Sequence, residues 1–279
     1  MVRIISDTLS SIPVEEAKKM KLPLLPQIVI FGEESFRDDT EIDSATFIER
    51  LKKSNVLPKT TAPYPHLYQP ILEDLSKSGD EILIICPTSK MSGTFSRAMV
   101  AAQEFPDGKI TVLDTPLLGA GLGTLVRCAL QWAESGLNAK DISQKVLDLA
   151  ERNRTYFLVD TLEYLQKGGR IGAAKALVGS VLQVKPILGI ENGEVKVIES
   201  LRTQKKALAR FMELVTDQCL HSETSFLNVQ HGGAFEEAKS LSAKLSSITG
   251  ITNIPITNLP PAILVHGGPG VLGVSFFVN

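Results

Sequence analysis

The sequence predicts a two-domain α/β protein whose N-terminal domain is built on a largely parallel, doubly wound sheet. Three observations lead there. At 279 residues the chain exceeds what most single hydrophobic cores support. In its first half short apolar runs alternate with helical patterns, the signature of βαβ units. In its second half that alternation gives way to amphipathic helices set among further strand-like runs.

Val2 to Ile5 reads as a buried strand, followed by Ser6-Asp7-Thr8 and a short helix after Pro13. Leu22 to Phe31 reads as one extended run, with Pro23 and Pro26 favouring an edge position because proline has no N–H to donate. Glu81 to Cys86 and Lys109 to Asp114 are the clearest strands, and Ser92 to Glu104 and Leu117 to Glu134 read as the helices after them. Ile142, Val146, Leu147 and Ala150 mark a helix that could bridge the halves. Thr155 to Asp160 reads as a strand, and another, Glu194 to Ser200, follows a Glu191-Asn192-Gly193 turn. Leu208, Phe211, Met212, Val215 and Cys219 form an apolar stripe at helical spacing, as do Ala234, Ala238, Leu241, Leu245 and Ile248. Strand-like runs recur at Ser225 to Gln230, Ile251 to Thr257 and Val271 to Val278. The expected domains are 1–153 and 154–279.

Composition narrows the function classes. There are 29 basic and 31 acidic side chains, a formal net charge of −2, so a duplex-binding role is disfavoured. Cys86, Cys128 and Cys219 are widely spaced with no CxxC pair, which argues against a zinc site and suits a reducing cytoplasm. No apolar run is long enough to span a bilayer, and the N-terminus enters a strand without a signal-like stretch, so a cytoplasmic protein without stable membrane insertion is expected.

The common catalytic strings GxSxG, GxxxxGK[ST] and HExxH are absent. The glycines at 119, 121 and 123 miss the dinucleotide spacing and read as a site of close helix packing. Thr88 to Phe95 (TSKMSGTF) follows a strand and opens a helix. Ser92 and the amides of Gly93 and Thr94 therefore stand where ligands of α/β folds gather and where a helix dipole favours an anion. By itself Ser92 reads more simply as an N-cap. Pro58 to Pro63 adds the hydroxyls of Thr60 and Thr61 in a loop braced by prolines, which on spacing alone is a turn. Lys167 to Ile171 carries two glycines and Arg170, whose forked donors suit a carboxylate or phosphate. His266 sits in a glycine-rich turn before the last strand, where a structural role is as good a reading as a functional one.

Together, in order, these segments resemble the DegV family of fatty-acid-binding proteins, which includes the carrier subunit of bacterial fatty acid kinase. The resemblance runs from Ile5-Ser6-Asp7-Thr8 through Arg37-Asp38-Asp39, Pro58 to Thr61, Ser89 to Thr94, Lys167 to Ile171 and Lys185 to Leu188. It continues through Arg202 and Lys205-Lys206-Ala207 to His266-Gly267-Gly268-Pro269-Gly270. It implies a long-chain fatty acid between two α/β domains, with its carboxylate held by Thr60, Thr61, Ser92 and the backbone at Gly93. It also implies a head-group network of Arg170, His266 and Asp38, and docking of a kinase subunit at Arg202 and Lys205. The kinase would form an acyl phosphate for phospholipid metabolism, so the chain itself is expected to be a carrier with no catalytic residue, metal or cofactor beyond its lipid. Where family members commonly read Thr-Ser-Gln-Pro-Ser, this chain has Thr60-Thr61-Ala62-Pro63-Tyr64, keeping a hydroxyl and losing an amide. Leu117, Leu118, Leu122, Leu177, Val178 and Leu182 are candidate pocket walls, each read more simply as core.

Two other readings remain open on the sequence. One is an acyl hydrolase or transferase with Ser92 as nucleophile and His266 as base, which lacks a third orienting residue. The other is nucleic-acid binding by the helix from Arg202 to Arg210, whose cations read more simply as a solvated face.

Overall fold

The computed structural model describes residues 1–105, 109–178 and 184–279. The chain divides into two compact units: Met1–Asp43 with Asn55–Glu151, and Ser44–Ser54 with Arg152–Asn279.

The first unit contains a four-stranded sheet in the order Leu24–Leu25, Val2–Asp7, Glu81–Cys86, Ile110–Asp114, every pair parallel. Its central strands are apolar on both faces: Ile4, Ile5 and the whole of Ile82 to Cys86 are buried. That is the pattern of a sheet covered on both sides, as a parallel sheet must be. From Val2–Asp7 the chain first adds a strand on one side and then crosses to the other, so the order reverses between Asp7 and Cys86. In open α/β sheets the crevice at that reversal, outside the carboxyl ends of the strands, is the natural ligand site.

Helix Gly119–Glu134 packs on this sheet, and the small-residue reading of its start holds at Gly123. A Cβ there would lie 2.5 Å from the Ser10 carbonyl oxygen, so only glycine permits the approach. Helices Val14–Lys19, Pro65–Ser76, Thr94–Gln103 and Ala139–Glu151 complete the unit.

Several expectations are corrected. The extended run Leu22 to Phe31 is two strands in two sheets. Leu24–Leu25 takes the expected edge, while Ile28–Phe31 is the centre of a separate antiparallel sheet with Glu34–Arg37 and Lys59–Thr61. Pro26, which has no N–H to give a ladder, precedes the break. A two-residue turn joins Ile28–Phe31 to Glu34–Arg37, with Gly32 at φ 61°, the conformation that a tight hairpin demands at its first central position. Thr60 and Thr61 therefore belong to a strand, not to a loop: they pair with Val29 and Ile28. Helix Thr94–Gln103 begins two residues later than expected, with Gly93 rather than Ser92 at its cap.

The second unit carries a six-stranded sheet in the order Glu194–Leu201, Lys185–Glu191, Asn153–Leu158, Leu272–Phe277, Asn228–His231, Ile256–Asn258. All pairs are antiparallel except the last. The hairpin at Glu191 turns through Asn192 (φ 51°) and Gly193 (φ 79°), as the Asn-Gly pair requires. Helices Gln204–Gln218 and Phe235–Thr249 lay their stripes on one face, enclosing Phe211, Val215, Leu241, Leu245, Val274 and Phe276. Each fully buried side chain of that size contributes about 1.5–3 kcal/mol. The second stripe ends on Thr249: Ile248 points out and is 53% exposed. The run Ser225 to Gln230 opens as a tight turn, Glu223–Ser225, before the strand Asn228–His231. Of Ile251 to Thr257 only the end is strand.

Helix Ser44–Lys53, early in sequence, counts with this unit; the Ser44 hydroxyl donates to the Leu259 carbonyl at 2.7 Å. His266 is not in the glycine turn but in the last turn of helix Pro261–Gly267. Among the described residues no helix is long and apolar enough to cross a membrane.

Candidate functional site

The reversal point of the parallel sheet holds a chain of buried polar groups. Asp7 ends the first strand. Its Oδ1 accepts the Leu9 amide at 3.1 Å, and its Oδ2 accepts Gln27 Nε2 at 2.6 Å and the Thr94 hydroxyl at 2.7 Å. Gln27 Nε2 also lies 2.9 Å from Thr94 Oγ1, and Ser92 Oγ lies 2.9 Å from that same oxygen. Asp7, Gln27 and Thr94 are each at most 2% exposed, whereas Ser92 is half-buried: it is the outer end of the chain.

Beside it, Asp38 Oδ1 accepts the Thr8 hydroxyl at 2.8 Å and the Gln27 amide at 2.9 Å, while its buried Oδ2 meets no partner among the described residues. Burial pushes the Asp7 carboxyl up to about 7. Burial, with the neighbouring Asp7 carboxylate adding to it, pushes Asp38 up to about 8. An orphan oxygen of this kind is tolerable on a neutral acid and costly on an anion.

The strand Lys59–Thr61 is moored to the same helix by Arg97. Its guanidinium donates to Thr61 Oγ1 at 2.9 Å and to the Ala62 carbonyl at 3.1 Å, and lies 4.7 Å over the Tyr64 ring. Ala62 comes against the Gly93 turn, where an added Cβ would sit 3.6 Å from its methyl. Because side chains alternate along a strand, Thr60 faces opposite to Thr61. Thus Thr61 faces Arg97, and the backbone next to it lies beside Gly93. Behind them Tyr68, on Pro65–Ser76, is fully buried with no hydrogen-bond partner for its hydroxyl among the described residues.

Arg170 and His266 belong to the second unit, where the structure brings them together. Arg170 Nη1 donates to the Gly168 carbonyl at 2.7 Å, and the imidazole packs so closely on Gly168 that any Cβ there would overlap Nδ1. Burial, with the Arg170 charge beside it, holds His266 down at about 4, so it is neutral at pH 7. Arg202 and Lys205 are exposed at the start of Gln204–Gln218, whose cap is Thr203 accepting from the Lys206 amide. Arg210, about two turns on, is already paired with Glu199 at 2.8 Å and Glu213 at 3.0 Å, so it adds little net charge to that surface.

Of the candidate wall residues, Leu117 and Leu122 are core, Leu118, Leu177 and Val178 are half-buried, and Leu182 lies outside the described residues. A cleft of about 690 Å³ opens in the second unit between helices Gln204–Gln218 and Phe235–Thr249, touching Leu208, Met212, Leu241 and Lys244. Of the motif residues it touches Gly270 but neither Arg170 nor His266, so its size is no reason to prefer it over the polar chain. Among the described residues there is no cluster of three or more metal-ligating side chains, and all three cysteines are free.

Sequence reasoning passed over Asp7, Gln27, Thr94 and Arg97 as side-chain contributors. Asp7 and Thr94 had a signal, since both lie inside the segments that carry the resemblance. Gln27 and Arg97 had none, because each acquires its role only through partners brought in from distant strands.

The family model for DegV, described as uncharacterised proteins, matches residues 1–279. A DegV domain-containing protein of Streptomyces coelicolor is 33% identical over 275 residues, 98% of this chain and 97% of the relative. The crystal structure of DegV, a fatty acid binding protein from Bacillus subtilis, is 31% identical with a TM-score of 0.89, covering 100% of this chain and 99% of that one. A fatty-acid-binding DegV family protein of Thermus thermophilus is 26% identical with a TM-score of 0.90 at the same coverage.

Proposed function

The chain belongs to the DegV family, and on that premise we propose that it holds a long-chain fatty acid by its carboxylate and presents that group to a separate kinase. The observation that carries the proposal is the half-buried Ser92 hydroxyl beside the Gly93 turn, at the carboxyl edge of the parallel sheet where the strand order reverses. Donors at the start of a ten-residue helix suit an anion. Each methylene taken out of water adds about 0.8 kcal/mol, so an acyl chain supplies strong gross affinity and the polar end needs only a few donors.

Thr60, Ser92 and the Gly93 backbone would bind the carboxylate, with Thr61 bracing the strand through Arg97. Asp38 would sit behind them in the same network. Arg170 and neutral His266 would serve the head group as hydrogen-bond donors and, from Arg170, as positive charge. In the reaction a carboxylate oxygen forms a bond to the γ-phosphorus of ATP as the bond to ADP breaks. That chemistry would come from the partner, met at Arg202 and Lys205. A reducing, ATP-rich cytoplasm suits this role and the three free cysteines.

No observation favours the serine-hydrolase reading. The Ser92 hydroxyl is bonded to Thr94, and an imidazole held at about 4 is a weak general base at neutral pH. The test of the proposal is ATP-dependent phosphorylation of bound oleate, with and without a cognate kinase subunit. Turnover only with the kinase is expected, and turnover by this chain alone would overturn the carrier assignment. Ser92→Ala and Thr60→Ala should each weaken oleate binding by about 1–3 kcal/mol, because a carboxylate lone pair is left unmet. Wild-type affinity in both would reject their assignment.

A further inference from the structure

We propose that Asp7 is a positioning residue for the bound carboxylate: its protonation sets the direction of the Asp7–Thr94–Ser92 hydrogen-bond chain, so that binding an ionised fatty acid takes up a proton at Asp7. This rests on the fatty-acid reading of Ser92 and deepens it.

Each hydroxyl has one proton, which fixes the logic. With Asp7 ionised, Oδ2 accepts the Thr94 proton at 2.7 Å. Thr94 Oγ1 can then only accept from Ser92, 2.9 Å away, and the Ser92 proton points inward. Ser92 would offer a ligand lone pairs alone, which repel a carboxylate. With Asp7 protonated on Oδ2, the carboxyl donates to Thr94, Thr94 donates to Ser92, and Ser92 donates outward. Gln27 Nε2 donates to Asp7 Oδ2 in either state, so it holds the geometry without choosing the direction. The carboxyl titrates at about 7, within reach of neutral pH.

The groups facing Asp7 support a neutral carboxyl. Asp38, on the adjoining segment, is itself raised by burial and by the Asp7 charge, so it supplies no cation to hold Asp7 ionised. Tyr68, on Pro65–Ser76, and Cys86, on the neighbouring strand, both feel the Asp7 charge, and burial keeps both in their protonated forms. Arg97, on the helix that carries Thr94, is engaged with Thr61 and Ala62. Arg127, on helix Gly119–Glu134, is bonded to Glu16, and Cys128 on that helix is buried. Among the described residues no cation is bonded to Asp7 to hold it ionised.

The proton comes from solvent, so it can be counted. Isothermal titration of the intact protein, cleared of co-purified lipid, with laurate at pH 8 in buffers of different ionisation heat should show roughly one proton taken up per laurate. Affinity should fall about tenfold per pH unit above that point. The carboxyl ¹³C shift of bound [1-¹³C]laurate should stay that of an ionised group, which excludes the ligand as the proton's destination. Asp7→Asn has no titrating proton at this position and, with the Gln27 amide turned so that its oxygen accepts the new N–H, should abolish the uptake and flatten the profile. In Asp38→Asn the uptake should persist. Absence of uptake in the wild type overturns the inference, as does uptake retained in Asp7→Asn or lost in Asp38→Asn. Should Asp7→Asn fail to fold, the wild-type and Asp38→Asn titrations decide. If neither laurate nor oleate binds, the fatty-acid reading itself falls.

Discussion

Asp7, Asp38 and His266 tie the stability of the protein to pH with opposite signs. The two carboxyls are raised in the folded state, to about 7 and about 8 from an ordinary 3.8. Their contribution is therefore fully present below pH 3.8 and is lost as pH rises through 7 and 8. His266 is depressed from 6.5 to about 4, so the unfolded chain takes up its proton first, and stability is lost as pH falls from 6.5 to 4. Stability to urea should accordingly fall as pH rises, because between pH 4 and 6.5 the loss from two carboxyls outweighs the gain from one histidine, and the alkaline limb should go on falling by about 1 kcal/mol per pH unit between 7 and 9. That limb should flatten in Asp38→Asn; an equally steep limb would mean Asp38 is already ionised at pH 7. The sequence exposes such a group only as one letter in Arg37-Asp38-Asp39. Its burial depends on Thr8 and on the Gln27 amide, 30 and 11 positions away. Hydroxyls that end a network, such as Ser92, are legible because they lie next to glycine just before a helix. The carboxylates behind them are not.

Elements built from local pattern were the easiest to read. Glu81–Cys86 and the helices Gln204–Gln218 and Phe235–Thr249 follow from unbroken apolar runs or stripes, which need no distant partner to be recognised. Lys59–Thr61 is a strand only because Ile28–Phe31 offers it an edge, so its three polar residues carry no strand signal of their own. The hairpin at Gly32 carried a turn signal, but polar Glu34 and Ser35 hid the returning strand. Packing between elements is testable at Gly123. An alanine methyl would press on the Ser10 carbonyl, so Gly123→Ala should cost about 1–3 kcal/mol as a lowered urea midpoint. At Gly193, with φ 79° and a turn of its own, alanine should cost about 1 kcal/mol through backbone strain alone. A neutral Gly123→Ala would mean that helix Gly119–Glu134 does not approach the Thr8–Ser10 turn as described.

For the whole molecule, the ordered set of short motifs was more informative than any one of them, because each alone reads as a cap, a turn or a solvated face. Arg202 illustrates the limit. It is exposed at the start of a helix whose Arg210 is neutralised by Glu199 and Glu213, so the cationic surface is smaller than the sequence suggests. Arg202→Ala should leave oleate binding nearly intact while slowing acyl-phosphate formation with the kinase and weakening its salt dependence. Unchanged turnover would reject the docking role alone. The central claim, that this chain is a fatty-acid carrier, is tested most directly by mass spectrometry of lipid extracted from the protein as purified from bacteria. The account predicts close to one fatty acid per chain without any being added. Empty extracts from folded protein, together with no uptake of added oleate or palmitate, would contradict it.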